Sequence, residues 1–220
     1  SNMKKLISIF VAISLLIFVI MFSGCSQRII KSTIHCDSIN FAMKEGDDKE
    51  FLRLVSDKKF NLNQYDALKI FEFFEGIRRT PLQEACYLEN PYYVEKLLEN
   101  GADPNYPKLK GNDRMLLPLA VAVRYMGVEN GKRKEDTALI IEMLLEHGAD
   151  PNIEMLIDKK TPLIRFASVD PEKYNKIYKE LIVLLVEHGA DKHAKDKYGK
   201  TAYDYAVYYG REELYDLLKP

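Results

Sequence analysis

The 220-residue chain has no tryptophan, only three cysteines, and no appreciable net charge: 32 basic and 33 acidic residues leave −1 at pH 7. The missing tryptophan excludes nothing. The balanced charge excludes a strong overall field and argues against nucleic acid as a partner. The motifs Gly-x-Ser-x-Gly, His-Glu-x-x-His and Gly-x-Gly-x-x-Gly are absent, so no hydrolase, zinc-protease or dinucleotide signature is available. The nearest approach to a phosphate loop is GVENGK at Gly127–Lys132. It is one residue short, lacks the following Ser/Thr and does not follow a strand.

What the chain has instead is repetition. Leu97-Leu98-Glu99-Asn100-Gly101-Ala102-Asp103-Pro104-Asn105 returns as Leu144-Leu145-Glu146-His147-Gly148-Ala149-Asp150-Pro151-Asn152 and again as Leu185-Val186-Glu187-His188-Gly189-Ala190-Asp191. Each copy ends an apolar helical run with a glycine suited to the left-handed closing position, then a turn-forming Asp. A second block precedes it: Thr80-Pro81-Leu82, Thr161-Pro162-Leu163, and the degenerate Leu117-Pro118-Leu119 and Thr201-Ala202-Tyr203. Thr caps a helix and Pro fills its first turn, where no amide hydrogen is needed.

Thr-Pro-Leu opening one helix, with Gly-Ala-Asp closing a second about 20 residues later, resembles the ankyrin repeat. The resemblance covers residues 34–220 and implies an all-α solenoid of about five helix-turn-helix units, near 38–63, 80–105, 117–152, 161–193 and 201–219. The first is degenerate, with Ala42, Gly46, Leu54, Val55 and Asn63 in phase. Spacing departs from the family: Gly101 to Gly148 is 47 residues and Gly148 to Gly189 is 41, against about 33. The extra residues fall at 64–79, 106–116, 127–137 and 168–176. The segment 127–137 lengthens the helix link of the third unit and 168–176 that of the fourth, and Tyr174 to Glu187 reads as an unusually long second helix. The apolar 64–79 is expected to fold back onto the stack as an extra helical turn. Two readings of the insertions stand: drift at permissive loop sites, or insertions shaped by a partner.

The beginning is a different kind of sequence. Met3-Lys4-Lys5 precedes an apolar run from Leu6 to Phe22 and then Ser23-Gly24-Cys25, the order of a secretory signal. Ser1-Asn2 resemble residues left by cloning. Ser23-Gly24-Cys25 resembles a bacterial lipobox, with Phe22 where Leu is usual. The resemblance implies a signal peptide over 1–25, lipidation of Cys25 and a polar linker over 26–33. Two or three acyl chains would anchor the chain durably; the alternative is an uncleaved transmembrane anchor. Either places the repeats outside the cytoplasmic membrane, at the bacterial cell envelope.

With Cys25 assigned to lipid, Cys36 and Cys86 remain. In repeat phase Cys86 matches Met43, seven residues beyond Cys36, about 10 Å along a helix. A neighbouring helix adds roughly 8–10 Å, beyond the ~7 Å a disulfide allows. Two free thiols are expected, with Cys86 in the core. His147 and His188 occupy equivalent positions before the closing glycine, where a helix end favours a capping imidazole. A metal site with His193 is the alternative, but no Cys or carboxylate cluster converges there. His35-Cys36 makes a poor nucleophile pair because adjacent helical residues diverge. No catalytic residue, metal, cofactor or small-molecule substrate is therefore expected.

Function must then lie on a surface. The ankyrin resemblance implies protein binding through a concave face of finger tips and first helices. Its contact positions fall here on Ile77, Arg79, Tyr87 and Leu88, then Asp113, Arg114, Leu116, Arg124 and Tyr125. They continue with Asp158, Lys160 and Ser168, then Lys197, Tyr198, Lys200, Tyr208 and Tyr209. Tyr and Arg dominate interface hot spots. Basic residues outnumber acidic ones on the list, so an acidic protein partner is expected. More specific alternatives are an immunity-type inhibitor of a toxin delivered to the envelope, a structural envelope adaptor, or a metal-dependent envelope accessory. Leu97, Leu98, Ile140, Ile141, Leu144, Leu145, Ile182, Leu184, Leu185, Leu214, Leu217 and Leu218 recur mostly at three- and four-residue spacings and are read as core.

Overall fold

Thr80 accepts a hydrogen bond from the Gln83 amide at 3.3 Å while its own amide donates to Gln83 Oε1 at 2.7 Å, so the helix beginning at Pro81 starts on a complete capping box. The same device opens the helix at Ala202, through Thr201 and Asp204. Thr161 caps the helix at Pro162 by one bond. Leu117, standing where Thr is missing, gives its helix no side-chain cap. The computed structural model of the chain describes residues 35–63, 79–106, 117–126, 134–155 and 157–220.

These contain antiparallel helical pairs: α1 (His35–Glu45) with α2 (Asp48–Val55), α3 (Pro81–Tyr87) with α4 (Pro91–Glu99), α5 (Pro118–Tyr125) with α6 (Lys134–Glu146), and α7 (Pro162–Ala167) with α8 (Lys176–Glu187). Last come α9 (Ala202–Tyr208) and a 3₁₀ turn, Glu212–Leu214, running into α10 (Tyr215–Leu218). First helices pack on first helices (α1 on α3, α3 on α5, α7 on α9) and second on second (α2 on α4, α4 on α6, α6 on α8). One core runs through the stack, from Ile39 and Phe51 through Leu97, Ile140 and Leu144 to Phe166, Ile182 and Leu218. Of the residues expected in it, Leu184 and Leu217 are only partly buried. Cys86 is buried in it as a free thiol, and burial pushes its pKa above the usual thiol range. Among the described residues no helix is long and apolar enough to cross a membrane.

The second helices α4, α6 and α8 end alike. The amides of Gly148 and Ala149 donate to Leu145 O and Leu144 O, both at 2.9 Å, with equivalent bonds at Gly101 and Gly189. This is the Schellman arrangement, which requires a left-handed residue. Gly148 has φ +83°, and a Cβ there would meet nothing within 4 Å. The glycine is needed for its backbone conformation alone.

Two boundaries differ from the spacing argument. α6 begins at Lys134, so 134–137 belong to a helix, not to the link. Glu135 and Asp136 suit its first turn, and Thr137 is buried, donating to Glu89 Oε2 at 3.0 Å. α8 begins at Lys176, not Tyr174, because Asn175 caps it by accepting from the Ile177 amide at 3.1 Å. With 12 residues it is shorter than the 13 of α6. The leader, Cys25, the extra turn expected within 64–78, and Ile77, Asp113, Arg114 and Leu116 lie outside the described residues, as does the Cys36 side chain.

Candidate protein-binding face

Asn63, Asn105 and Asn152 fix where the fingers sit. Asn105 Oδ1 accepts from the Asp150 amide at 2.8 Å and its Nδ2 donates to Gly148 O at 2.8 Å. Asn63 does the same to Asp103 and Gly101, and Asn152 to Asp191 and Gly189. Each Asn is itself held by an Asx turn; the Asn105 amide, for example, donates to Asp103 Oδ1 at 2.8 Å. The result is a ladder joining each Gly-Ala-Asp loop to the next. The sequence signal was the Asn two residues after the Asp in two copies, which is easily taken for an ordinary turn residue.

On this frame the expected contact residues form two groups. In the first, the Arg79 guanidinium lies 3.8 Å above the Tyr87 ring, and Tyr87 meets Tyr125 edge-on at 5.5 Å. Tyr87 is 38% exposed. Arg79 Nη1 also pairs at 3.1 Å with Glu84, whose carboxylate is buried and has Lys44 at 3.8 Å on its other oxygen. Arg79 thus compensates a buried charge as well as facing the surface. Arg124 beside them is exposed.

The second group joins two fingers to α9. Asp196 Oδ1 accepts from the amides of Tyr198 and Lys200, and Tyr205 donates to its Oδ2 at 2.7 Å. Burial opposes ionisation of Asp196, but these bonds hold its pKa below the usual carboxylate value. Burial and the same contact push the Tyr205 phenol up. The Lys197 amide donates to Asp158 O at 2.9 Å and its Nζ to Ile157 O at 3.2 Å, tying the two fingers together. Lys160 Nζ lies 4.7 Å over the Tyr205 ring and donates to Ser168 Oγ at 2.8 Å. Tyr198 is 68% and Tyr208 79% exposed, with Lys197 and Lys200 also exposed. Tyr209 is half-buried, between Tyr208 and the Arg211 guanidinium.

Repeated helix pairs closed by Gly-Ala-Asp and laddered by asparagine decide the family, and residues 112–219 match Ankyrin repeats (3 copies), with 78–108 matching Ankyrin repeat. This is an ankyrin repeat protein. The α1–α2 pair lies before both matched stretches and packs onto α3 and α4 as a repeat does. No curated protein matches the chain. Ankyrin repeats are in general protein-binding modules without catalytic function.

The histidines act as helix ends. His147 Nδ1 is 2.8 Å from Met143 O and His188 Nδ1 is 2.9 Å from Leu184 O, while Asn100, at the same position, donates its amide to Lys96 O at 2.8 Å. An amide fills the role as well as an imidazole, which marks it as capping. Among the described residues no group of three His, Cys, Asp or Glu side chains is placed to hold a metal.

Arg211 was not legible in advance. It is buried and reaches back across the stack, with Nη1 donating to Ala167 O at 2.5 Å and Nη2 to Val169 O, and its guanidinium lies 3.9 Å over the Tyr174 ring. Burial lowers its pKa from the ordinary arginine value. Its only sequence signal is an Arg immediately after Gly210.

Proposed function

We propose that this ankyrin stack captures an acidic protein partner on its Tyr/Arg face, and that lipid on Cys25 holds it at the bacterial cell envelope, outside the cytoplasmic membrane. The observation that carries the binding reading is the exposure of Lys197, Tyr198 and Lys200 together on a finger already braced by Asp196, with Tyr208 exposed at the end of α9. Large aromatic surface beside exposed cations, on a braced frame, suits recognition of an acidic surface. Arg79, Tyr87, Arg124 and Tyr125 extend that face, and Arg114, Lys160 and Tyr209 are assigned to it with them. Mechanistically the module works by covering or tethering its partner; none of its side chains need act chemically.

The test uses the full chain in mild detergent as bait in solubilised envelope of the source cell, compared with Arg124→Glu/Lys200→Glu. Both residues are exposed, so their reversal leaves the fold intact. Arg79→Glu is unsuitable, because it would set a second carboxylate beside buried Glu84. A protein retained by the native chain and lost from the reversed one is the expected result; identical sets overturn the face. Anchoring is read separately, by radiolabelled palmitate incorporated into the native chain and not into Cys25→Ala.

A further inference from the structure

Between the third and fourth units the surface sinks into a pocket of about 200 Å³. Val123, Phe166 and Tyr178 line its apolar floor, all buried. Lys160, Arg165 and Lys173 line its walls. Neither Lys160 nor Arg165 is ion-paired with a carboxylate among the described residues. Burial lowers the Lys160 pKa; Asp158 and Asp196 oppose this, and Arg165 and Lys197 add to it. Both cations line one small depression with an apolar floor, so an anion entering it is offered two charged donors at once. Asp170, the lone acid on the lining, has Oδ1 occupied by the Glu172 amide at 3.0 Å.

The pocket exists because of the residues that break the repeat spacing. Ser168, Val169, Asp170 and Lys173 all come from the α7–α8 insertion. That insertion is braced at Ala167 and Val169 by Arg211 and at Asn175 by its helix cap, which drift at a permissive loop site would not require.

We propose that this pocket receives one carboxylate side chain of the protein partner, a glutamate whose methylenes lie on the Val123–Phe166–Tyr178 floor and whose carboxylate meets Lys160 and Arg165. The volume is below the roughly 300–1,000 Å³ of cofactor and metabolite sites, so a single side chain is the occupant that fits. Charge-assisted contact with a guanidinium over an apolar floor also selects carboxylate over an amide of the same shape. This rests on the reading of the surrounding face as a partner-binding surface, but its test needs no partner.

The probe is N-acetyl-glutamate N-methylamide titrated into the full isotope-labelled chain in detergent, following the Arg165 Nε–H and Ile164 and Phe166 amides by NMR. The glutamine analogue and inorganic phosphate serve as comparison probes. A saturable millimolar response to the glutamate analogue is expected, weakened at least tenfold in Arg165→Gln and absent with glutamine. Equal responses to glutamate and glutamine, or binding of phosphate without glutamate, overturn it. So does a glutamate response that survives in Arg165→Gln with unchanged circular dichroism. If the titration fails while the bait still loses its partner on Arg124→Glu/Lys200→Glu, the pocket assignment falls and the binding face stands.

Discussion

At the Gly-Ala-Asp end of the stack, Asn63, Asn105 and Asn152 make the same pair of bonds to three successive loops, whereas at the other end of the fourth unit the link from Ala167 to Asn175 ends on a cap like that of Asn90 but depends on Arg211 and Tyr174 in contacts that occur once among the described residues. Both ends satisfy buried or half-buried backbone groups, as they must. The first does so by a rule that each unit repeats, so that each loop needs only its neighbour. The second does so with a long side chain borrowed from the next unit. Regularity therefore belongs to the repeated loops and singularity to the inserted link.

The largest expected effect lies in the layer shared by both ends. Leu144→Ala should cost about 2–5 kcal/mol in denaturant unfolding, and a loss outside that range would mean the core is not continuous through the third unit. Next, Arg211→Leu should cost roughly 2–3 kcal/mol, since two carbonyls lose a charged donor, and trypsin should then cut at Lys173 much faster while cutting at Lys192, in the third Gly-Ala-Asp loop, stays unchanged. Equal protection at Lys173 would show that the link does not depend on Arg211. Asn105→Ala and Asn152→Ala should each cost about 1–2 kcal/mol and should match each other, because equivalence between units is what the ladder asserts. Gly148→Ala should cost about 1 kcal/mol, the penalty of a Cβ in the left-handed region, with no crowding to add to it.

The smallest effect concerns the two capping boxes. Hydrogen bonds from Thr201, its backbone amide above all, hold Asp204 below its ordinary carboxylate pKa of 3.8. A folded value below the unfolded one means this contribution is complete above about pH 4 and is lost as pH falls through the folded value. Gln83, in the equivalent box at Thr80, does not titrate. Asp204→Asn should therefore flatten the acid limb of stability below pH 4 while changing neutral stability by about 1 kcal/mol or less; an unchanged acid limb would remove Asp204 as a contributor.

The helix starts and stops were legible because Thr-Pro and Gly-Ala-Asp act within a few residues of themselves, so local chemistry decides them. The ladder was half legible: Asn105 and Asn152 recur visibly, but their partners lie 43 and 45 residues and 37 and 39 residues away. The candidate face was placed from family phase, and phase says nothing about the second engagement of Arg79 with Glu84, which depends on burial of a carboxylate inside α3. Arg211 and the pocket it braces were not legible. Their geometry depends on where an insertion of irregular sequence comes to rest against another unit, and no periodicity encodes that.

Arg211 has a consequence for how such a chain could change over generations. Solenoids grow and shrink by duplicating or deleting whole repeats, which works when each module brings its own fastenings. The first three units here carry theirs in Asn63, Asn105 and Asn152. The fourth does not: its insertion is fastened from the fifth. Any duplication that copied residues 161–193 alone would leave an unbraced link at 168–175, so the last two units must be inherited, copied or lost as a pair.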